Sequence, residues 1–281
     1  MKLKYYGTSA GGGIPEIFCS CRICEHARKY KGKNIRTRSQ AMLDDVLAIE
    51  YPVDTLAHTA YLGLDLRKVR HILITHGHHD HYLPEDIFSR PQGENWPVHF
   101  YCSEFTAAKL QKTIDGTEAD FASGRRTRTC DYRVAAHALI PYQTTEILDY
   151  KITPLRARHA EAIGAMIFII QKGDKSILWA QDTGKFHPDA MEYIQNSGLT
   201  FDFISMDCTL KRGAQLTQAH MDMDWCIEMV EQMRQSGNVD EHTTIALSHI
   251  GHLVERTHEE LEQEAAEHGM IVAYDGMEIE I

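Results

Sequence analysis

The chain has 281 residues, 43% hydrophobic and 25% charged, a balance that is typical of globular proteins and excludes disorder, collagen and coiled coil as overall descriptions. The formal net charge is −11, from 29 basic and 40 acidic residues, which disfavours a protein that binds nucleic acid mainly through electrostatics. The unusual count is histidine, with 17 residues. Histidine is the commonest metal ligand and a frequent acid–base group.

The N-terminus and the cysteines indicate a reducing compartment. The first 13 residues, MKLKYYGTSAGGG, carry charge without the apolar core of a signal peptide. No stretch approaches the roughly 20 apolar residues of a membrane span. Seven cysteines, three of them within six residues, do not suit a secreted disulfide scaffold. We therefore expect a cytoplasmic protein without a membrane partner, whose thiols are free to bind metal.

Short β-rich runs alternate along the chain with helical patterns, which predicts an α/β or mixed layered architecture. Several of the runs are almost continuously apolar, as expected of strands that are covered on both faces. The predicted strands are residues 2–6, 41–50, 70–75, 97–102, 163–171, 176–180, 201–206, 243–248 and 270–274.

Helices are best supported towards the C-terminus. Apolar residues at positions 226, 229, 230 and 233 share one helical face, and Gly237 follows as a stop. A capping-box spacing at Thr257 opens another helix that ends near Gly269. A further helix is predicted at residues 54–63, with Asp54 as its cap. Residues 116–133 contain several arginines and are interpreted as a solvated loop, with an anion-recognition or partner loop as the alternative.

The densest group of polar side chains directly follows the predicted strand 70–75 and reads His76-Gly77-His78-His79-Asp80-His81. His76 and His78 point the same way in an extended segment, and Asp80 and His81 follow where the chain must turn. Imidazoles and a carboxylate suit Zn²⁺ and similar ions, and two neighbouring ions can activate water and clamp a phosphoryl or carbonyl oxygen. The alternative is a polar turn with chance histidines.

A second candidate metal group is the C-x-C-x-x-C cluster of Cys19, Cys21 and Cys24. Three thiolates need a fourth ligand to close a tetrahedral zinc site. The alternative is a set of buried thiols, which suits this Pro-, Gly- and Ser-containing segment poorly. The preceding glycine-rich turn lacks the Lys-Ser/Thr of a phosphate-binding loop, so its glycines are interpreted as allowing a tight turn near the metal site.

The motif His-x-His-x-Asp-His resembles that of the metallo-β-lactamase superfamily, and the resemblance extends along nearly the whole chain. It implies a four-layer αββα sandwich of two mixed β-sheets flanked by helices. It also implies one domain over residues 1–281, with a cysteine-rich zinc loop, about residues 7–30, packed against it. Residues 49–55, IEYPVDT, depart from the Asp-Gly-rich strand end that is usual in PhnP-like members.

The resemblance further implies a site for two metal ions. The ligands outside the residue 76–81 motif are identified individually from the family's pattern. Asp182 and His249 close apolar strands, and His159 precedes one, where a layered sheet collects loops into a site. His159 taken alone is equally well read as a surface histidine. The implied ligands are His76, His78 and His159 for one ion, and Asp80, His81 and His249 for the other, with Asp182 shared.

The glycine-rich turn followed by C-x-C-x-x-C resembles the PhnP-like phosphodiesterases. In that family a histidine three positions after the last active-site ligand completes a structural zinc site, which here implies His252 with Cys19, Cys21 and Cys24. The family also carries a non-ligand histidine that binds phosphate and assists the leaving oxygen. His220 is the candidate, with a helix-capping or surface histidine as the alternative. The predicted catalytic residues are His220 and Asp80, and Asp80 is also a ligand.

The resemblance implies a metal-dependent hydrolase with two active-site divalent ions, Zn or Mn, and one structural Zn. The leading prediction is a phosphodiesterase that acts on a small cyclic phosphodiester such as a phosphoribosyl cyclic phosphate, because an acidic protein suits bulk RNA poorly. The alternatives are an RNA-processing ribonuclease-like enzyme, a carbonyl or thioester hydrolase, and a non-catalytic accessory protein of cofactor biosynthesis. A small molecule is the expected partner, and nucleic acid and a homodimer stay open.

Overall fold

A computed structural model describes residues 1–89, 97–127, 133–214 and 218–281. Its strands form two sheets of seven strands each. In chain order they are β1 Lys2–Gly7, β2 Gln40–Leu43, β3 Leu47–Ile49, β4 His71–Leu73, β5 Val98–Cys102, β6 Val134–Ala138, β7 Thr145–Ile147, β8 Tyr150–Arg156, β9 Met166–Lys172, β10 Lys175–Ala180, β11 Phe203–Asp207, β12 Thr244–Ser248, β13 Ile271–Val272 and β14 Glu278–Glu280.

Both sheets are mixed. The first has the order β14-β1-β2-β3-β4-β5-β6, and the second has the order β13-β12-β11-β10-β9-β8-β7. In the first, β3 to β6 run parallel, and in the second, β10 to β13 run parallel. The remaining neighbours pair antiparallel.

Helices cover the outer faces of the sheets. They are α1 Arg22–Tyr30, α2 Thr55–Leu62, α3 Glu104–Ala122, α4 Pro188–Asn196, α5 Met223–Gln235 and α6 His258–Ala266. Short 3₁₀ turns span Gly32–Asn34, Pro84–Ser89, Glu161–Ile163 and His252–Val254.

Alternation along the strands builds three separate cores. In β9, Ile170 packs between the two sheets, whereas Ile169 packs under the helices on the second sheet. In β2, Leu43 packs between the sheets, and Met42 joins the core that Leu110 of α3 covers. Because successive side chains of a strand point to opposite faces, strands buried on both faces need apolar residues at nearly every position. The result is the predicted αββα sandwich of two mixed sheets.

Several predicted elements are confirmed with shifted ends. The helix α5 has Gly237 just beyond its end, and Thr257 and Glu260 form the complete capping box of α6. The helix α2 ends at Gly63 as predicted, but Asp54 does not cap it with its side chain. The carboxylate of Asp54 instead lies 3.1 Å from a guanidinium nitrogen of Arg38.

For two segments, the predicted type of secondary structure was wrong. Residues 41–50 form a hairpin of β2 and β3 rather than one strand, because Asp44 and Asp45 both adopt positive φ in the turn between them. Residues 116–122, interpreted as loop, continue α3, since the glycine at 116 is tolerated within a long helix. Arg128 lies outside the described residues, and Arg125 forms an ion pair with Asp120.

The candidate metal ligands all follow strands at one edge of the sandwich. The strands β4, β8, β10 and β12 end shortly before His76, His159, Asp182 and His249 in turn. Carboxyl ends of parallel strands lie along one edge, where the loops that follow them meet. The fold therefore collects residues from the two sheets into one cluster.

Candidate metal centre

The first group of converging ligand atoms comprises His76, His78, His159 and Asp182, with one atom of each within 4.8 Å of the others. Nε2 of His76 lies 2.8 Å from Nδ1 of His78, which lies 3.3 Å from Nε2 of His159. The rings of His76 and His78 cross at 78°, so their nitrogens converge without the rings stacking. Three imidazoles and a carboxylate at these separations form a donor set that fits one Zn²⁺-like ion.

The second group comprises Asp80, His81, Asp182 and His249, all buried. Nε2 of His81 lies 3.4 Å from Oδ2 of Asp80 and 3.2 Å from Nε2 of His249. His249 adopts φ 55°, a left-handed conformation that a non-glycine residue rarely takes without tertiary support. Two imidazoles and two carboxylates suit a second divalent ion.

Asp182 joins the two groups. Its Oδ2 lies 3.1 Å from Nε2 of His76 and 3.0 Å from Nε2 of His81. Its other oxygen, Oδ1, is buried and lies 3.2 Å from Nδ1 of His159 and 3.1 Å from Nδ1 of His220, but neither contact has the geometry of a hydrogen bond. A buried carboxylate oxygen without a hydrogen bond is costly unless a cation satisfies it. This oxygen and the converging nitrogens show that the residues fit a pair of divalent ions.

For some residues of the cluster, the protein environment favours the charge state in which the side chain can bind a cation. Burial disfavours the charge of Asp182, but the surrounding histidines outweigh it and hold the pKa of Asp182 well below its usual range. Burial lowers the pKa of His76 to about 3. His81 differs, since Asp80 and Glu50 overcome its burial and raise its pKa well above the ordinary value. A cation that binds His81 must therefore displace a tightly held proton.

Glu50 is a further residue of the candidate site that the sequence interpretation missed. It follows β3, is fully buried, and adopts φ 69°. Its Oε1 accepts a 2.6 Å hydrogen bond from the hydroxyl of Thr75 and lies 3.2 Å from Nδ1 of His81. A partner on Nδ1 leaves Nε2 of His81 directed at the ligand cluster. Residues 49–55 looked like a departure from the family, yet they supply this carboxylate.

Asp207 is the second residue that was missed. It ends β11, is fully buried, and places Oδ2 3.0 Å from Nδ1 of His220 and 3.3 Å from Nδ1 of His249. Burial opposes the charge on His220, but Asp207 outweighs it and raises the pKa of His220 to about 9. His220 Nδ1 also lies 3.1 Å from Oδ1 of Asp182. One carboxylate thus orients a candidate ligand and the candidate catalytic histidine, and these four residues form a third converging group.

The predicted zinc residues Cys19, Cys21, Cys24 and His252 also converge. Nδ1 of His252 lies 3.3 Å from Sγ of Cys19 and 3.4 Å from Sγ of Cys21. Ligand atoms about 3.5 Å apart are expected around tetrahedral zinc with Zn–S near 2.3 Å and Zn–N near 2.1 Å. The other ring nitrogen of His252 lies 2.9 Å from Oε2 of Glu16, a carboxylate–histidine pairing common at zinc sites.

The thiols of this group differ in acidity. Burial raises the pKa of Cys21, but hydrogen bonds from the Cys24 backbone and from His252 outweigh it, so that the pKa falls to about 6. Burial instead raises the pKa of Cys24 to about 12. Zinc binds thiolates, so zinc uptake here is coupled to loss of the Cys24 proton.

Comparison with known proteins decides the family. The family described as the beta-lactamase superfamily domain matches residues 51–245. The chain belongs to this superfamily. With the converging histidine and aspartate groups, this membership identifies a metal-dependent hydrolase. No curated protein matches the chain by sequence.

Solved structures share the fold at low identity. A diphosphatase of the PhnP family is 21% identical with a TM-score of 0.74, covering 100% of this chain and 96% of its own. Zn²⁺-bound PqqB from Methylobacterium extorquens is 19% identical with a TM-score of 0.72, covering 100% of both chains. The short form of human tRNase Z is 14% identical with a TM-score of 0.66, covering 100% of this chain and 99% of its own.

The structure thus brings together every residue that the sequence placed in a metal site. No helix in the described part of the chain is long and apolar enough to cross a membrane. Among the described residues, three of the four converging groups share Asp182, and the zinc group is linked to them through His249 and His252, which lie three residues apart. Long-range contacts between sheets, rather than local sequence, set this arrangement.

Proposed function

We propose that the protein is a phosphodiesterase that uses two divalent ions and acts on a small cyclic phosphodiester, such as a phosphoribosyl cyclic phosphate. The observation that carries the proposal is the pairing of His220 with Asp207 beside Asp182. His220 is not needed to complete either four-ligand group, so it is available for the substrate. When bound, two such ions polarise phosphoryl oxygens and make a nucleophile available at neutral pH.

The chain's own residues then have separate tasks. Asp80, His81 and His249 hold one ion, His76, His78 and His159 hold the other, and Asp182 serves both. Nδ1 of His220 donates to Asp207, which leaves Nε2–H to hydrogen-bond a phosphoryl oxygen and to donate its proton to the leaving oxygen. Asp80 would contribute to catalysis as a ligand of an ion that, when bound, polarises phosphoryl oxygens.

The size and charge of the expected substrate follow from the protein's own charge. With a net charge of −11, the surface as a whole repels polyanions, and the positive field needed for phosphate comes from the bound ions and His220. A small phosphodiester needs only this local field. We further propose Zn for the Cys₃His group, because thiolates favour zinc, and Zn or Mn for the nitrogen and oxygen groups.

Metal analysis and a substrate panel test the proposal. Elemental analysis of metal-replete protein is expected to give close to three ions per chain. The loaded protein is expected to hydrolyse bis(p-nitrophenyl) phosphate and ribose cyclic phosphates in preference to thioesters and β-lactams. Thioester turnover without phosphodiester turnover would indicate the carbonyl hydrolase instead, and a fully loaded but inactive protein would indicate the accessory role.

The proposal also covers the extent of the domain, the location of the protein and its oligomeric state. We propose one domain over residues 1–281 that includes the zinc loop at about residues 7–30, and a cytoplasmic location consistent with free thiols. All six cysteines within the described residues are free, and Cys130 lies outside those residues. Sedimentation at micromolar concentration tests for a homodimer.

A further inference from the structure

The second active-site group and the zinc group share one short segment. His249 belongs to the former, His252 belongs to the latter, and Ile250 and Gly251 lie between them. Three residues span at most about 10 Å of extended chain. A displacement of His252 therefore reaches His249 unless the two residues between them absorb it.

The N-terminal segment 8–11, here called the strap, holds Ile250 in place. The backbone N–H of Ile250 donates to the carbonyl of Thr8 at 2.9 Å. The carbonyl of Ile250 accepts from the backbone of Ala10 at 3.3 Å and from the hydroxyl of Ser9 at 3.0 Å. Ser9 and Ile250 are both buried, so these hydrogen bonds are shielded from water. The segment 249–252 consequently cannot move independently of the strap.

The strap ends against another ligand of the same ion. A Cβ atom added to Gly11 would lie 3.0 Å from Oδ2 of Asp80 and 3.4 Å from its carboxyl carbon. The carbonyl of Gly11 is fixed by a 2.8 Å hydrogen bond from Nε of Arg38. The backbone of the strap therefore forms one wall of the space in which the Asp80 carboxylate sits.

The chain beyond the strap returns to the zinc group. The backbone N–H of Glu16 donates to Sγ of Cys24 at 3.3 Å, and its carboxylate pairs with His252. The segment 249–252 therefore ends at a zinc ligand, and the chain that follows the strap reaches the zinc ligand Cys19 eight residues after Gly11. In contrast, within the described chain, the hydrogen bonds and ion pairs of His76, His78 and His159 involve no strap residue.

We propose that the zinc group acts through the strap as a positioning device for Asp80 and His249, so that zinc occupancy raises the affinity of this second position for its ion. The inference rests on the proposed function. Coupling between two sites in one protein commonly changes affinity by about 5- to 150-fold. The first position, held by His76, His78 and His159, is expected to be independent of the zinc group.

The first test removes the zinc ligand Cys21. Binding of Mn²⁺ to Cys21→Ser is followed by electron paramagnetic resonance, with bound zinc measured by mass spectrometry. We expect lost zinc, about 5- to 150-fold weaker binding of one of two Mn²⁺ equivalents, and an unchanged other equivalent. The matched control Cys102→Ala removes a buried thiol from the core under α3 and should bind both as the wild type does. A Cys21→Ser protein without zinc that binds both equivalents normally overturns the proposal.

A second variant leaves all zinc ligands intact, in case Cys21→Ser does not fold. Gly11→Ala should keep its zinc and lose affinity for one Mn²⁺ equivalent, because its Cβ displaces the Asp80 carboxylate. The control Gly116→Ala places its Cβ in open space on α3 and should retain both equivalents. If Gly11→Ala binds both Mn²⁺ equivalents with wild-type affinity, the proposed role of the strap is wrong.

These readouts separate the inference from the proposed function. If the wild type binds two Mn²⁺ ions but turns over no phosphodiester, the substrate proposal fails while the metal titrations still decide the coupling. If the wild type binds no Mn²⁺ at this site, the dinuclear proposal and the strap are both wrong.

Discussion

At the scale of single residues, the site depends on carboxylates that orient histidines. Glu50 accepts from Thr75 and lies against His81, and Asp207 lies between His220 and His249. Neither carboxylate belongs to the two groups that the sequence predicted. A dense motif marked the ligands at residues 76–81, and the resemblance to the superfamily implied the remaining ligands beside predicted strands. Glu50 and Asp207 were not predictable, because their significance appears only when distant strands are brought together.

The role of His220 is tested by removing its ring. His220→Ala is expected to lower phosphodiester kcat about 10²- to 10⁴-fold, the usual contribution of a general acid or base, without changing metal content. His242→Ala is the matched control, since the side chain of that histidine is 85% exposed and its ring lies 3.9 Å from the carboxylate of Glu241. Elemental analysis and steady-state kinetics on the same preparations measure both quantities.

The alternative for His220 is equally specific. His220 converges with Asp182, Asp207 and His249, so it belongs to a group that itself resembles a metal site. If His220→Ala loses one ion per chain together with activity, His220 is a ligand rather than a proton donor. Loss of kcat with full metal content supports the catalytic role.

At the scale of elements, the loops that carry the ligands are packed against one another. His159 Nδ1 lies 3.3 Å from the carbonyl of Ala219, and the backbone of Arg158 donates to the hydroxyl of Thr183. Three loops, after β8, β10 and β11, are thus tied together around the cluster. The elements themselves were largely predictable from periodicity. The hairpin of β2 and β3 and the full length of α3 were not, since a three-residue turn and a helical glycine leave weak local signals.

Gly184 is the point at which two of these loops touch. A Cβ atom at Gly184 would lie 1.6 Å from the carbonyl oxygen of Gln218, so the backbone must separate. His220 lies two residues after Gln218. Gly184→Ala is therefore expected to displace His220 and to lower kcat at least about tenfold. The control Gly116→Ala places its Cβ in open space on α3 and should stabilise the helix by about 0.5–1 kcal/mol. Wild-type kcat in Gly184→Ala would show that this contact does not position His220.

At the scale of the whole molecule, the N- and C-terminal parts are joined by a buried polar network. Asp275 accepts hydrogen bonds from the hydroxyls of Thr8 and Thr37, at 2.8 and 2.5 Å, and from the Thr37 backbone at 2.6 Å. Arg36 is buried beside it and donates to Thr8 and to the carbonyl of Ala273. The sequence pattern predicted the layers but not this network, because nothing local links residues more than 230 positions apart.

This network predicts a specific dependence of stability on pH. Burial raises the pKa of Asp275 to about 6, outweighing the hydrogen bonds from Thr37 and Thr8 and the charge of Arg36. The folded state therefore binds the Asp275 proton more tightly than the unfolded chain, whose aspartate pKa is about 3.9. The resulting stabilisation is fully present below about pH 4 and is lost as the pH rises through about 6, by at most about 3 kcal/mol.

Asp275→Asn removes this titration while keeping the shape of the side chain. The free energy of unfolding of Asp275→Asn relative to the wild type should increase between pH 4 and pH 7, because only the wild type must ionise this half-buried carboxyl, whose pKa is raised. Urea unfolding of both proteins at matched pH and metal concentration measures the difference, and effects common to both, such as protonation of the histidine ligands, cancel. A difference that stays constant from pH 4 to pH 7 would show that Asp275 ionises in the folded protein as readily as in the unfolded chain.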